Sequence, residues 1–358
     1  MTLTGGTTGE ITREELQLAA RNHGLPLEAL RYPLTPVGLH YLLIHYDVPV
    51  VDPADWRLDL QGHVARPHAL SLDELRARPA TTTAVTMECA GNGRAAIAPR
   101  LLSQPWLLEA VGTAEWTGVP LRDVLDGAGP LDGAVEVLFT GLDRGIEGGV
   151  EQQYERSLTL EDARRDDVLL AYAVNGRPLP PQHGFPLRLV VPGWYGMTSV
   201  KWLSSITVLA EPFTGYQQTT GYRLRSSIDD PGTPVTRMMP RSLMVPPGIP
   251  DFLTRRRFLS PGPCVLEGRA WSGWAPIERV EVSADDGTTW TDADLDDPVG
   301  PAAWRRWALG WEAEPGEHTL CCRATDAAGQ IQPLEPPWNP GGYANNAVHR
   351  VPVTVADA

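Results

Sequence analysis

The sequence predicts an α+β domain followed by an all-β sandwich of immunoglobulin-like type. Capped helical segments alternate with apolar strand-like runs over the first two thirds of the 358 residues, which is typical of an α+β domain. A stretch rich in proline and glycine at 229–263 then interrupts regular structure. Short alternating runs follow it at regular spacing, as in sandwich folds. We therefore expect two domains, residues 1–235 and 236–358.

Three helices are predicted in the first domain from the residues that begin them. Two open with a capping box, in which a Ser or Thr and a Glu three residues later each bond the other's backbone N–H. The third opens with proline at its start, where the missing N–H costs nothing. The expected helices are about 13–22 after Thr12 with Glu15, a short helix opened by Ser71 with Glu74 and closed by Pro79, and one that begins at Pro120 and ends at Gly127.

Apolar and alternating runs predict the strands of both domains. In the first domain these runs are 135–139, 168–174, 187–191 and 200–208. In the second domain they are 265–271, 277–283, 288–295, 304–311, 318–325 and 348–355.

Composition and charge exclude two classes of partner. The net charge of -14 argues against a nucleic-acid surface, because phosphates are neutralised by clustered cations. No apolar run approaches membrane-spanning length, and the N-terminus has no basic segment followed by an apolar core. We expect a cytoplasmic protein with no nucleic-acid or membrane partner, or an exported one if a leader has been removed.

The run Met-Glu-Cys-Ala-Gly-Asn-Gly-Arg at 87–94 places Cys89 among small residues. A thiolate there could attack carbon or bind a soft metal, and a buried structural thiol is the common alternative. No C-x-x-C pair is present, which argues against a zinc knuckle or a thioredoxin-type motif. Cys321 and Cys322 adjoin in a predicted strand and must face opposite ways. With Cys264, they are expected to be free thiols.

A second motif favours the interpretation of Cys89 as a ligand of a soft metal. The segment Gln-His-Gly-Phe-Pro-Leu-Arg-Leu-Val-Val-Pro-Gly-Trp-Tyr-Gly-Met-Thr-Ser-Val-Lys-Trp at 182–202, together with the run at 87–94, resembles the sulfite oxidase family of molybdenum enzymes. Residues 338–351 resemble the end of that family's dimerisation domain. The resemblance implies a mixed α+β molybdopterin-binding domain, an immunoglobulin-like dimerisation domain, a homodimer, and molybdenum held by molybdopterin.

The resemblance also implies the site residues, position by position. Cys89 becomes the thiolate ligand of molybdenum, and Gly91 and Gly93 are expected to let the backbone approach the pterin. Arg and Lys suit a phosphate group because they donate charged hydrogen bonds. The residues expected to hold the pterin and its phosphate are Asp143, His183, Arg188, Ser199, Val200 and Lys201. Those expected around the substrate are Arg94, Trp106, Tyr222 and, from the second domain, Arg305.

The sequence departs from the family's pattern where positive charge is usual. Ile44, His45 and Tyr46 stand where the family usually has Arg-Asn-His, and we keep them in the cofactor-binding set. Gly93 stands where a second arginine is usual. If each lost contact is worth about 1.5 to 3 kcal/mol, anion affinity falls by roughly ten- to a hundredfold per contact. An imidazolium at His45 would restore part of the missing positive charge.

The resemblance implies an oxidoreductase that transfers an oxygen atom to sulfite or a similar small oxyanion. Because the chain has no C-x-x-C-H haem motif, electrons would pass to a separate carrier such as a cytochrome. A reductase of a sulfoxide or another small oxide is the second hypothesis. A non-enzymatic binding protein on the same fold is the third.

Overall fold

The computed structural model describes residues 3–4 and 11–356 of the chain. Strands dominate it, and its α-helices are short. The helices are α1 Arg13–Ala20, α2 Leu72–Arg76, α3 Leu121–Ala128, α4 Leu160–Ala163 and α5 Tyr216–Thr219. Single turns of 3-10 helix lie at Leu27–Arg31, Val37–Leu39, Arg94–Ala96, Pro181–His183 and Gly196–Thr198.

The first domain is built around two five-stranded sheets. Its strands are β1 Leu3–Thr4, β2 Arg57–Gly62, β3 His68–Ser71, β4 Thr81–Glu88, β5 Arg100–Leu101, β6 Val111–Pro120, β7 Glu136–Glu147, β8 Val150–Thr159, β9 Leu169–Val174, β10 Arg177–Pro178, β11 Arg188–Val190, β12 Leu203–Leu209, β13 Arg223–Leu224 and β14 Thr233–Pro234. One sheet has the order β10-β9-β6-β4, with β11 also paired to β9, and the other has the order β3-β2-β12-β7-β8. Buried side chains of both sheets and of α3, among them Phe139, Leu170 and Val124, share one hydrophobic core.

The second domain is an all-β sandwich of a four-stranded and a six-stranded sheet. Its strands are β15 Arg241–Met244, β16 Ile249–Pro250, β17 Arg257–Leu259, β18 Gly262–Trp271, β19 Ile277–Ser283, β20 Thr291–Asp292, β21 Asp294–Leu295, β22 Arg305–Ala313, β23 Gly316–Asp326 and β24 His349–Val355. Leu266 and Trp307 of one sheet pack with Val282 and Leu320 of the other. The α+β domain followed by an all-β sandwich is therefore confirmed.

The cysteines of the sandwich behave as the strand periodicity predicts. Cys322 packs into the hydrophobic core, whereas the Cys321 sulfur lies 3.7 Å from an Asp286 carboxylate oxygen on the other side of β23. All four cysteines of the chain are free thiols.

Both predicted capping boxes form, and the third helix runs one residue further than expected. Thr12 with Glu15 caps α1, and Ser71 with Glu74 caps α2. Helix α3 passes through Gly127 and ends at Gly129, whose φ of 71° is the left-handed conformation that terminates a helix.

Two strand predictions need correction. Strand β7 continues well beyond 139 and turns through Gly148 and Gly149, with φ of 63° and 81°, into β8, whose mostly polar sequence hides its strand character. The expected strand 288–295 is wrong in its first part. The Asp285 carboxylate accepts hydrogen bonds from the Thr289 backbone and hydroxyl, which holds these residues in a turn.

Among residues 3–4 and 11–356, no helix is long and apolar enough to cross a membrane. Most of the first ten residues, on which the expectation of no export leader rests, lie outside the described residues.

Candidate functional site

Cys89 lies on a tight turn directly after β4. Its backbone N–H donates to Ala110 O at 2.9 Å, and its carbonyl accepts from the Asn92 N–H at 2.9 Å. Gly93 follows with φ of 89° and redirects the chain into the 3-10 turn that begins at Arg94. The turn thereby places the Cys89 thiol and the Arg94 side chain on one cavity.

The glycines of this turn make room for protein groups, which corrects the expectation that they admit the pterin. A Cβ on Gly91 would lie 2.6 Å from Arg94 Cζ, and a Cβ on Gly93 would lie 2.9 Å from Asn345 Nδ2. Asn345 belongs to the second domain and donates to Gly93 O at 2.7 Å. No side chain, an arginine included, fits at position 93 unless this contact between the domains moves.

Two adjoining cavities meet at Cys89, and both are lined by Leu43, His45 and Tyr222 as well. The first, of about 610 Å³, is named here the cradle cavity. It contains the predicted residues Asp143, His183, Arg188, Ser199 and Lys201, together with His40, Tyr41, Met87 and Tyr154, which sequence reasoning missed. The second, of about 910 Å³, is named the arginine cavity. It contains the predicted Ile44, Tyr46, Arg94 and Trp106, together with Arg21, Glu147, Gln217 and Tyr343.

The cradle cavity carries two cations that make no ion pair with a carboxylate in the described part of the chain. Arg188 donates to His183 O at 3.2 Å and to Ser199 O at 3.1 Å, and burial lowers its pKa to about 10. Lys201, the only lysine of the chain, donates to two carbonyl oxygens, and burial lowers its pKa to about 7. An anion bound beside the buried Arg188 and the partly buried Lys201 would offset the hydration that these cations lose.

The histidines around Cys89 are neutral at physiological pH. Burial lowers the pKa of His40 to about 4, of His45 to about 3 and of His183 to about 2. Nearby cations act in the same direction, Arg188 on His40 and Lys201 on His45. The lowered pKa of His45 argues against an imidazolium at this position, which was expected to restore part of the missing positive charge. His45 instead contacts the Tyr222 hydroxyl through Nε2.

The polar groups of the cradle cavity fit molybdopterin. Lys201 and Arg188 suit its phosphate, and the Asp143 carboxylate keeps one buried oxygen without a protein donor in the described chain, which suits the N–H groups of a pterin. Burial raises the pKa of Asp143 to about 6. His40 Nε2 is likewise buried with no partner among the described residues.

The protein supplies one soft ligand for a metal. Burial raises the pKa of the Cys89 thiol, opposed by the nearby Arg94 guanidinium, and coordination to a metal would drive its deprotonation. In the described residues, no group of three or more His, Cys, Asp or Glu side chains could hold a metal ion. A metal here must take its remaining ligands from the cofactor, as the dithiolene of molybdopterin provides.

Arg94 is the buried cation of the arginine cavity. Its Nε donates to Gly341 O at 2.7 Å, and its Nη1 donates to Ser103 Oγ at 2.6 Å. Its Nη2 makes no hydrogen bond within the described residues, so this nitrogen can donate to a ligand oxygen. Trp106 packs against Cys89 in the same cavity. The arrangement suits one anionic group held close to a metal on Cys89.

Two of the predicted site residues do not reach either cavity. The Val200 side chain is fully buried in the hydrophobic core of the first domain. Arg305 donates to Asp296 O at 2.9 Å and Ile277 O at 2.7 Å and lines a different surface cavity. In its place, the second domain contributes Tyr343, whose ring centroid lies 4.8 Å from Arg94 Cζ. In the sequence, this loop was marked only by the resemblance of residues 338–351 to the end of the family's dimerisation domain.

Comparison with known proteins matches both parts of the chain. Residues 45–217 match the oxidoreductase molybdopterin binding domain, and residues 237–356 match the Mo-co oxidoreductase dimerisation domain. Sulfite oxidase of Gallus gallus is 38% identical over 337 residues, which are 88% of this chain and 72% of that protein. Mitochondrial sulfite oxidase of Homo sapiens is 35% identical over 90% of this chain and 62% of that protein.

A nitrate reductase and a solved structure also match most of this chain. A nitrate reductase of Hordeum vulgare is 33% identical over 90% of this chain, which spans 39% of that protein. The crystal structure of the sulfane dehydrogenase SoxCD from Paracoccus pantotrophus superposes with a TM-score of 0.80 at 28% identity, covering 94% of this chain and 86% of that chain.

These similarities show an enzyme with a molybdenum cofactor, so the hypothesis of a non-enzymatic binding protein is wrong. The match of the second domain supports a homodimer. The predicted family is confirmed: the chain belongs to the sulfite oxidase family of molybdopterin-dependent oxidoreductases.

Proposed function

We propose that the protein oxidises sulfite or a similar small sulfur-centred anion by oxygen-atom transfer. This proposal rests on the Arg94 guanidinium, which is buried beside Cys89. Its Nη2 is free to donate to a ligand. The names of the relatives, sulfite oxidase and sulfane dehydrogenase, support a sulfur substrate. Sulfite and water yield sulfate, two protons and two electrons.

The molybdenum cofactor supplies the oxygen-atom transfer and the two-electron redox change. The chain's own residues bind and orient the substrate, which lowers the entropic part of the barrier. Arg94 holds an anionic oxygen, while Trp106 and Tyr222 form walls that limit the substrate's approach. No side chain is required as a nucleophile or general base.

The two electrons pass one at a time to a separate carrier, for which a cytochrome is our proposal. A homodimer formed through residues 237–356 and a cytoplasmic location, or an exported one if a leader was removed, complete the proposal.

A second candidate is the reduction of a small neutral or weakly charged oxide, such as a sulfoxide. Ile44 lines the arginine cavity where the family usually has an arginine, and the His45 beside it is neutral. Less positive charge favours a less charged substrate. The nitrate reductases among the relatives make nitrate a second oxide to test.

Steady-state rates per bound molybdenum separate the two candidates. The same preparation is assayed for sulfite oxidation with ferricyanide or a cytochrome as acceptor, and for sulfoxide and nitrate reduction with a reduced viologen as donor. We expect kcat/KM to be higher for sulfite oxidation than for the reduction of either oxide. Faster reduction of either oxide would favour the second candidate instead.

A further inference from the structure

The loop that carries Tyr343 is held against the Cys89 turn by its own backbone. The Tyr343 N–H donates to Asn339 Oδ1, and Asn339 Nδ2 donates back to Tyr343 O, each at 2.9 Å. The next residue, Ala344, donates its N–H to Ala90 O at 2.8 Å. The Tyr343 ring is therefore positioned by the fold and is not a freely moving surface side chain.

The Tyr343 ring covers one face of the Arg94 guanidinium. Its centroid lies 4.8 Å from Arg94 Cζ and 5.3 Å from the centroid of the Tyr222 ring. Since Nε and Nη1 of Arg94 already donate to protein oxygens, Nη2 is the guanidinium nitrogen left to bind a ligand. It can donate to an anionic oxygen.

The charges of the arginine cavity offset one another. Its cations in the described chain are Arg94 and the exposed Arg21, and its carboxylate is Glu147, which accepts hydrogen bonds from Tyr46 and Gln217. With Glu147 offsetting one of these two cations, the described side chains of the cavity leave one net positive charge, which matches a monoanion better than a dianion.

The walls of the cavity offer apolar contact beside that charge. Trp106, Tyr222 and Tyr343 present aromatic rings around the space next to Cys89, and Ile44 lines it as well. A substrate with an apolar substituent would bury surface here that a fully oxygenated anion cannot.

We propose that Tyr343 is a specificity-determining residue, and that it makes the enzyme prefer small monoanionic sulfur compounds with an apolar substituent, such as alkanesulfinates, over dianionic sulfite. This inference rests on the proposed oxidation of sulfur compounds and specifies its substrate class. A sulfinate and water yield a sulfonate, two protons and two electrons. One sulfur–oxygen bond forms, sulfur is oxidised, and the separate acceptor takes both electrons.

The test compares kcat/KM for methanesulfinate and sulfite in the molybdenum-loaded enzyme, at a pH where sulfite is the dianion and with ferricyanide as acceptor. We expect the wild type to prefer methanesulfinate. Tyr343→Ala should shift the ratio toward sulfite by about tenfold, because the aromatic wall and the cover over Arg94 are both lost. Tyr343→Phe should keep the ratio within about twofold, since the ring remains.

A matched control and a binding measurement complete the design. Tyr32→Ala removes a half-exposed tyrosine that lines neither cavity and should leave the ratio unchanged. Calorimetry on the same proteins measures the binding of methanesulfonate and sulfate, which do not react. We expect wild type and Tyr343→Phe to bind methanesulfonate more tightly than sulfate.

Each outcome addresses one of the two proposals. A wild type that oxidises sulfite and prefers it, or a ratio that Tyr343→Ala leaves unchanged, overturns the inference and leaves the proposed function standing. A loaded enzyme that oxidises neither compound overturns the proposed function. In that case calorimetry still tests the anion selectivity of the arginine cavity, because tighter binding of sulfate than of methanesulfonate contradicts a cavity that selects monoanions.

Discussion

Glu88 and Arg241 form a buried ion pair that joins the Cys89 turn to the second domain. Glu88 Oε1 lies 2.6 Å from Arg241 Nη1, and both side chains are 1% exposed. Trp271 Nε1 donates to the other Glu88 oxygen at 2.9 Å, and Arg241 also donates to Asn345 O at 2.9 Å. The residue before Cys89 is thus held by polar groups of the sandwich, which aligns Cys89, the candidate metal ligand, with the loop that carries Tyr343.

Glu88→Gln should destabilise the protein by about 3 kcal/mol or more, because Arg241 is left buried without its counter-charge. Urea denaturation of wild type and variant measures the loss. Asp292→Asn is the matched control, since it breaks the exposed pair with Arg279 and should cost less than about 1 kcal/mol. Equal losses in the two variants would contradict a structural role for the buried pair.

Cys89→Ser should abolish the proposed oxidation, with a loss of at least about a hundredfold, because a hydroxyl is a harder and far less acidic ligand than a thiol. Turnover and metal content by elemental analysis are measured on the same sample. Cys264→Ser, a half-buried free thiol in the sandwich, is the control and should change neither. Full activity in Cys89→Ser would exclude this residue as the metal ligand.

Lys201 should make the stability of the cofactor-free protein depend on pH. Its pKa is about 7 in the folded protein against an ordinary value of 10.5, so between these values the unfolded chain holds a proton that the folded protein has released. The contribution of Lys201 to the free energy of unfolding therefore rises with pH through this window. Lys201→Met should remove that rise and be more stable than wild type at pH 7. Denaturation curves across the window test this.

The titration of Lys201 can also be observed directly, because it is the only lysine of the chain. Reductive methylation with carbon-13 labels Lys201 and the N-terminal amine, and NMR then follows each signal with pH. We expect a lowered pKa in the cofactor-free protein and a higher one when the cofactor is bound, since a phosphate stabilises the ammonium. If the free energies of unfolding of wild type and Lys201→Met changed in parallel with pH, the lowered pKa could not be assigned to Lys201.

Arg94→Ala should raise KM for sulfite by roughly ten- to a hundredfold, because one charged hydrogen bond to the substrate is lost. Arg305→Ala should leave kcat and KM unchanged, since Arg305 bonds the backbone of its own domain. The two variants each remove one arginine, so a difference between them cannot come from net charge alone. A larger effect from Arg305→Ala would reverse the assignment made from the structure.

The cofactor could be predicted from the sequence because its determinants are contiguous. Cys89 lies within one short run and Lys201 within another, and each run brings a local turn that positions its side chain. The capping boxes of α1 and α2 are equally local, since three residues decide them. Strand β8 was missed because its pairing with β7, and not its own pattern, makes it a strand.

The sequence by itself determined the family, the cofactor and the two-domain architecture, and it singled out Cys89 as the candidate thiolate ligand. Tertiary structure alone decided that Tyr343, and not Arg305, reaches the arginine cavity, because the loop and Cys89 are distant in the chain and meet only when the domains pack. It also lowers the pKa of His45, since the side chains packed around it remove water and place cations nearby. Motifs encode local backbone and ligand chemistry, whereas the charge and shape of a pocket depend on which distant side chains exclude water from it.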